Sequence, residues 1–151
     1  MRDPVAASSL TLDNLGFLLA KASQRWNELL YHRLAAAGFP EVRPAYGSLL
    51  IPLYEEDGLR QGELARRARL SKQAMTTMAR ALERDGLVER RVDSDDRRAT
   101  RLFLTERARQ LRPVAEQVLG ELEALVGAAL PGRSAGALKD SLRGLSSLDR
   151  P

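Results

Sequence analysis

The sequence predicts a mostly α-helical fold with one short β-hairpin near its middle. Hydrophobic residues make up 44% of the chain and aromatic residues only 5%, so leucine, alanine and valine must build most of the core. Leucine and alanine are strong helix formers, and β-branched residues are few. At this length we expect a single domain that spans residues 1–151.

The N-terminal part of the chain predicts two helices. The first, at residues 10–37, carries apolar residues at three- and four-residue intervals, which is typical of one buried helix face. A Gly-Phe-Pro sequence at 38–40 ends it. Pro44 suits the first turn of a second helix that extends to about residue 56, and Pro52 is expected to kink or shorten that helix. The apolar residues of the first helix are Leu12, Leu15, Leu19, Ala22, Trp26, Leu29 and Leu30.

Two short helices and the hairpin follow. Residues 61–68 predict a third helix, and Ser71 is a suitable N-cap for a fourth helix at 72–85. Residues 87–92 and 100–104 are typical of short strands around the turn DSDDRR. The two helices and the tight turn between them indicate a helix-turn-helix.

The C-terminal part predicts a fifth helix at about residues 105–130 and a final helix at about 134–148. Apolar residues of the fifth helix alternate in steps of four and three, a heptad pattern that packs one helix on another. We interpret this pattern as the seam of a homodimer. The seam residues are Leu111, Ala115, Val118, Leu122 and Leu125.

Positive charge is concentrated in the middle third of the chain. Residues 60–101 contain twelve basic and seven acidic residues, a net charge of +5, whereas the rest of the chain has a net charge of −1. Such a distribution suits contact with a polyanion. An ordinary charged surface is the alternative.

Several kinds of site are excluded by composition. The chain has no cysteine, which excludes disulfides, thiolate metal sites and thiol redox sensing. His32 is the only histidine and cannot hold a metal by itself, so we expect neither a metal nor a cofactor. No apolar run approaches the roughly 18 to 20 residues that cross a bilayer. The N-terminal residues MRDPVAASSL also lack an apolar stretch of signal-peptide type, so we expect a cytoplasmic protein with no membrane partner.

The fourth helix has one apolar edge and one polar face. Met75, Met78, Ala79 and Leu82 follow i, i+3, i+4, i+7 spacing and predict the buried edge. The opposite side chains donate hydrogen bonds or carry positive charge, which suits base edges and phosphates in a major groove. An amphipathic helix with a merely solvated face is the alternative. The polar face consists of Ser71, Lys72, Gln73, Thr76, Thr77 and Arg80.

The hairpin turn carries two arginines beside several aspartates. Arg97 and Arg98 are suited to a minor groove, whose negative potential attracts guanidinium groups. Asp96 or Asp93 would then orient one arginine while the other is offered to DNA. Which arginine has which role stays open at this point, and a solvent-exposed charged turn is the alternative.

A longer motif covers the fourth helix and the hairpin. The stretch LERDGLVERRVDSDDRRATRLFLTERA resembles the signature of the MarR (multiple antibiotic resistance regulator) family of winged helix-turn-helix transcription regulators. The match is specific over about residues 61–106, and Arg107-Ala108 departs from it where the family usually has a glycine. The matching residues are Leu82, Gly86, Leu87, Val88, Arg90, Asp96, Arg97, Arg98, Leu104 and Thr105.

The resemblance implies a homodimeric transcriptional regulator, more specifically a repressor. Residues 44–105 would form the DNA-binding lobe, and residues 10–37 and 106–148 would form the helices of a dimerisation lobe. The recognition helix would lie in the major groove and the hairpin, or wing, in the minor groove of each half-site. A twofold dimer should bind a pseudo-palindromic operator with half-sites about 10 base pairs apart.

Many members of this family respond to small aromatic or phenolic ligands in a crevice between the two lobes. The resemblance therefore directs attention to aromatic residues as a ligand pocket, although core and interface positions are the favoured interpretation of these residues. The candidates are Trp26, Tyr31, His32, Tyr46 and Tyr54.

Two other functional classes remain as alternatives. A winged-helix adaptor that binds protein rather than DNA would have to present its arginine-rich face to an acidic partner. An enzyme is the weaker alternative, because the sequence has no glycine-rich phosphate loop and no carboxylate pair beside a base. We therefore predict that the protein is not an enzyme.

Overall fold

The secondary structure follows the predicted order of helices and hairpin. The structure, a computed structural model, describes residues 10–130 and 134–148. Within these ranges no helix combines the length and apolar character that a bilayer crossing requires. The elements are α1 (Leu15–Ala36), a 3₁₀ turn (Pro44–Tyr46), α2 (Gly47–Glu55), β1 (Leu59–Arg60), α3 (Gln61–Ala68), α4 (Lys72–Arg84), β2 (Val88–Val92), β3 (Thr100–Leu104), α5 (Glu106–Ala129) and α6 (Ala135–Ser146).

The first helix begins later than predicted. Asn14 is its N-cap and accepts a hydrogen bond from the backbone N–H of Phe17 at 3.2 Å, so α1 begins at Leu15 rather than at residue 10. Leu12 precedes the cap and is exposed, which removes it from the apolar face of the helix. The prediction placed the start too early because the apolar spacing continues on the N-terminal side of Asn14. The capping hydrogen bond of Asn14 sets the start of the helix.

The second helix is shorter than predicted at its N-terminal end. Pro44 begins a 3₁₀ turn, and the α-helix starts only at Gly47. Pro52 lies inside α2 and does not end it. A proline within a helix costs one backbone hydrogen bond, and the burial of Leu49, Leu50 and Leu53 on the same helix offsets that loss.

The sheet contains a strand that the sequence did not predict. The two-residue strand β1 pairs antiparallel with β3, with Leu59 opposite Leu102 and Arg60 opposite Arg101. On the other side β3 pairs with β2, so the strand order is β1-β3-β2. Two residues are too short to display an alternating pattern, so only the pairing itself reveals β1.

The heptad pattern of α5 belongs to the core of the chain itself. Leu111, Val118 and Leu122 are buried within the single chain, where α1 packs against α5. Ala115 is half-buried against the same core, and Leu125 is exposed. A second chain cannot reach the side chains of Leu111, Val118 and Leu122. The prediction of a dimer seam is therefore corrected at these three positions.

The start of α5 is intact despite the departure from the family pattern at Arg107-Ala108. Thr105 is the N-cap and accepts a hydrogen bond from the backbone N–H of Ala108 at 3.2 Å. The guanidinium group of Arg107 donates to a carboxylate oxygen of Glu41 and lies 3.9 Å from the centre of the Phe39 ring. Arg107 therefore ties α5 to the loop that follows α1.

Candidate nucleic-acid interface

The fourth helix is fixed in place by its turn, its cap and its buried edge. Arg69, at φ 53°, makes the left-handed turn between α3 and α4. Ser71 then caps α4 by accepting a hydrogen bond from the backbone N–H of Ala74 at 3.1 Å, as the sequence predicted. Met75, Ala79 and Leu82 are buried. Met78 is only half-buried, at the margin of that edge.

The polar residues of α4 share one exposed surface. Lys72, Gln73, Thr77 and Arg80 are exposed and border a single shallow groove together with Thr76. We call these five residues the reading face. Thr76 differs from the others because it is half-buried and its hydroxyl is hydrogen-bonded within the protein.

The tip of the wing holds one arginine in a defined position. Asp96 accepts hydrogen bonds from the backbone N–H and the side-chain Nε of Arg98, at 3.0 and 3.2 Å. The Arg98 side chain is nevertheless 93% exposed, and its two terminal nitrogens make no hydrogen bond within the described residues. Arg97 is also exposed, and its side chain makes no ion pair or hydrogen bond with any described residue. The Asp96–Arg98 pair is one of the arrangements that the sequence allowed.

Asp93 has a different role from the one considered for it. Its side chain is only 1% exposed and orients neither arginine of the turn. It accepts hydrogen bonds or ion pairs from Arg60 on β1, from Arg101 on β3 at 3.2 Å, and from the backbone N–H of Asp95 at 2.9 Å. Asp93 therefore fixes the base of the wing to β1 and β3. Sequence reasoning missed Arg60 and Arg101 because it did not predict β1.

The environment of Asp93 favours its ionised form. The hydrogen bond from the Asp95 backbone N–H is the main cause that holds the pKa of Asp93 below its usual value. Arg60 and Arg101 act in the same direction, whereas burial opposes them. A carboxyl group with a lowered pKa in the folded state stabilises the fold above its unfolded pKa. That contribution is lost as the pH falls through the folded pKa.

We expect the stabilisation by Asp93 to be removed by acid. Wild type should be more stable than Asp93→Asn at neutral pH, and the difference should shrink as the pH falls below the ordinary aspartate value of 3.8. Urea unfolding of both proteins between pH 7 and pH 2.5 measures this difference directly. A difference that stays constant across this range would contradict the proposed ionisation of Asp93.

Tyr46 is hydrogen-bonded to the C-terminal end of α4. It is buried, and its hydroxyl donates a hydrogen bond to the carboxylate of Asp85, the C-cap of α4. Burial is the main cause that raises the pKa of Tyr46, and the hydrogen bond from Tyr46 is the main cause that lowers the pKa of Asp85. Tyr46 is therefore a core residue beneath α4.

The remaining aromatic candidates divide between two surfaces. A cleft of about 530 Å³ lies among α1, the 3₁₀ turn, α2 and α5, and Trp26 and Tyr54 line it. The Tyr54 hydroxyl donates to the backbone oxygen of Ala108 at 2.6 Å, and burial raises its pKa to about 12. Tyr31 and His32 line an adjoining, more open depression that shares Arg43 and Pro44 with the cleft. Of the five aromatic candidates, only Trp26 and Tyr54 line this cleft, and the Tyr46 hydroxyl is bonded to Asp85 instead.

Comparisons with known proteins agree with this geometry. A model of the MarR family matches residues 44–100. An HTH-type transcriptional repressor of Mycobacterium tuberculosis is 35% identical over 127 residues, which cover 78% of this chain and 91% of that protein. The solved structure of the transcriptional repressor CouR bound to a 23-mer DNA duplex has a TM-score of 0.75 and 27% identity, and the match covers 92% of this chain and 99% of CouR.

A further solved structure supports the fold alone. The PcaV transcriptional regulator from Streptomyces coelicolor, in complex with its natural ligand, has a TM-score of 0.75 at 20% identity, over 91% of this chain and 95% of PcaV. These likenesses confirm the winged helix-turn-helix fold that the sequence predicted. The chain belongs to the MarR family of transcriptional regulators and is not an enzyme.

Proposed function

We propose that this protein represses transcription by binding a pseudo-palindromic operator in double-stranded DNA. The observation that carries the proposal is the continuity of two cationic surfaces. Lys72 belongs to the reading face and also borders a second groove together with Arg98 at the wing tip. A helix in the major groove and a wing in the adjacent minor groove require such a continuous surface. The Mycobacterium tuberculosis relative is named a repressor, and CouR is bound to DNA in its structure.

We assign the minor-groove contact to Arg98. Asp96 accepts a hydrogen bond from the Nε of Arg98, which restricts the side chain and leaves the two terminal nitrogens available to DNA. An arginine that is ordered before binding loses less conformational entropy when it contacts DNA. Arg97 has no such partner within the described residues, and we assign it to a phosphate contact.

We propose a homodimer that forms through apolar residues left exposed by the single chain. Helix α6 has no buried residue, and its leucines lie along one side at three- and four-residue spacing. Leucines and a phenylalanine at the start of α1 are also exposed. Sedimentation equilibrium at micromolar concentration should give a dimer, and a monomer would overturn this part of the proposal. The residues are Leu10, Leu12, Leu15, Phe17, Leu18, Leu138, Leu142 and Leu145.

We propose that a small aromatic or phenolic ligand releases the operator by occupying the cleft beside Trp26 and Tyr54. The Tyr54 hydroxyl is already bonded to Ala108, so Tyr54 offers its ring, and Arg43 borders the cleft as a cation for a phenolate or carboxylate. Trp26 is the only tryptophan, so hydroxybenzoates that bind there should quench its fluorescence and weaken DNA binding. No change in either signal at millimolar concentration would count against this cleft.

Selection from random duplexes tests the DNA-binding proposal. The purified protein should enrich a pseudo-palindrome with half-sites about one helical turn apart. Its affinity should fall steeply with salt, by about a thousandfold between 50 and 200 mM if it neutralises roughly six phosphates. If a folded protein, verified by circular dichroism, enriches no sequence and binds no duplex, the adaptor alternative is favoured and its partner should be acidic.

A further inference from the structure

The hydroxyl group of Thr76 has two partners inside the protein. It donates a hydrogen bond to the backbone oxygen of Lys72, one turn earlier in α4, at 3.0 Å. It also accepts a hydrogen bond from the side-chain amide of Gln61, at the start of α3, at 3.2 Å. The second bond spans the helix-turn-helix and therefore fixes the Thr76 side chain relative to α3.

These bonds limit what Thr76 can offer to a base. A hydroxyl group has one hydrogen to donate, and in Thr76 that hydrogen is used. Thr76 cannot donate to the acceptors of guanine or to N7 of adenine without breaking the bond to Lys72. Its methyl group is the part of the side chain without a polar partner. Thr76 lies between Lys72 and Arg80 on the reading face, one helical turn from each.

We infer that Thr76 selects thymine through contact between its methyl group and the C5 methyl group of the base, and that Gln61 is the residue that positions it. Apolar contact with that methyl group distinguishes thymine from cytosine in the major groove. The inference rests on the proposed function, since it requires α4 to lie in the major groove. It gives α4 an apolar contact among side chains that otherwise form hydrogen bonds or carry charge.

Replacement of thymine by deoxyuridine tests the inference, because deoxyuridine lacks only the C5 methyl group. Each thymine of a selected half-site is replaced in turn, and binding is measured by fluorescence anisotropy. Wild type should lose about fourfold in affinity per half-site at one position, the value expected for one buried methyl group. Thr76→Ser keeps the hydroxyl and removes the methyl group, so it should bind both duplexes equally. Thr76→Val keeps a methyl group but loses the hydrogen bond from Gln61, so it should discriminate to the same reduced degree as Gln61→Ala.

The neighbouring threonine provides a matched control. Thr77→Ser makes the same chemical change at a side chain that has no hydrogen bond within the described residues, and it should leave the discrimination at the Thr76 position unchanged. Gln61→Ala should reduce that discrimination while preferences at other base pairs persist, which separates positioning from a general loss of structure.

Each alternative outcome has a distinct meaning. If wild type binds the operator and no single deoxyuridine replacement lowers its affinity, the inference is overturned and the proposed function stays in place. Discrimination that survives in Thr76→Ser would overturn it in favour of recognition by the hydroxyl. Absence of binding to any duplex would overturn the proposed function itself.

Discussion

Replacement of Arg98 by alanine should weaken operator binding by about a hundredfold. A specific arginine contact contributes about 1 to 3 kcal/mol, or roughly tenfold per half-site at the lower part of that range, and the proposed twofold dimer would lose two such contacts. The side chain is 93% exposed, so its removal should not change the stability of the fold. Electrophoretic mobility shifts with the selected operator measure the affinity, and thermal unfolding checks the fold.

Two neighbouring variants separate orientation from charge. Asp96→Ala removes a negative charge from the DNA-binding surface, yet it should weaken binding by about threefold because Arg98 is no longer held at Nε. Arg97→Ala should have a similarly small effect on affinity. It should also reduce the slope of log affinity against log salt concentration by about one for each phosphate contact that is lost. Tighter binding by Asp96→Ala, or a larger loss for Arg97→Ala than for Arg98→Ala, would refute the assignment of Arg98 to the minor groove.

Leu82→Ala should reduce the free energy of unfolding by about 3 kcal/mol, within the usual range of about 2 to 5 for a buried leucine. Leu82 is 0% exposed and lies on the buried edge of α4, so its truncation leaves a cavity directly beneath the reading face. Urea unfolding at a fixed protein concentration is the appropriate measurement, because the proposed dimer would also contribute to stability.

The control for this variant removes apolar atoms from the surface. Val92 is 66% exposed at the end of β2, so Val92→Ala should change the free energy of unfolding by no more than about 0.5 kcal/mol. A loss below about 1 kcal/mol for Leu82→Ala would mean that α4 is attached more loosely to the core than its burial indicates.

Local signals accounted well for the helix-turn-helix and the wing. Ser71 caps α4 by its own side chain, and Gly86 ends the helix region at φ 76°, a conformation that glycine adopts without strain. The spacing of Met75, Ala79 and Leu82 identified the buried edge of the helix. These signals operate within a few residues, so a single sequence displays them.

Sequence patterns did not predict which distant residues contact one another. The heptad of α5 correctly indicated a buried face but not what covers it, and the cover is α1 of the same chain. The sequence also did not show which of the aromatic candidates lie together. Tyr46 lies beneath α4, and Tyr31 and His32 lie outside the cleft of Trp26. The spacing of apolar residues indicates which side of a helix is buried, and it does not indicate which residues cover that side.

The amino-acid sequence by itself determined the order of the helices, the reading face and the wing with its arginines. Tertiary structure decided which aspartate orients which arginine, because Asp93 meets Arg60 and Arg101 only when β1 pairs with β3. It also decided that the Thr76 hydroxyl is occupied by Gln61, fifteen residues away. Hydrogen bonds and ion pairs depend on distances of a few ångströms, and chain folding alone sets those distances between residues far apart in sequence.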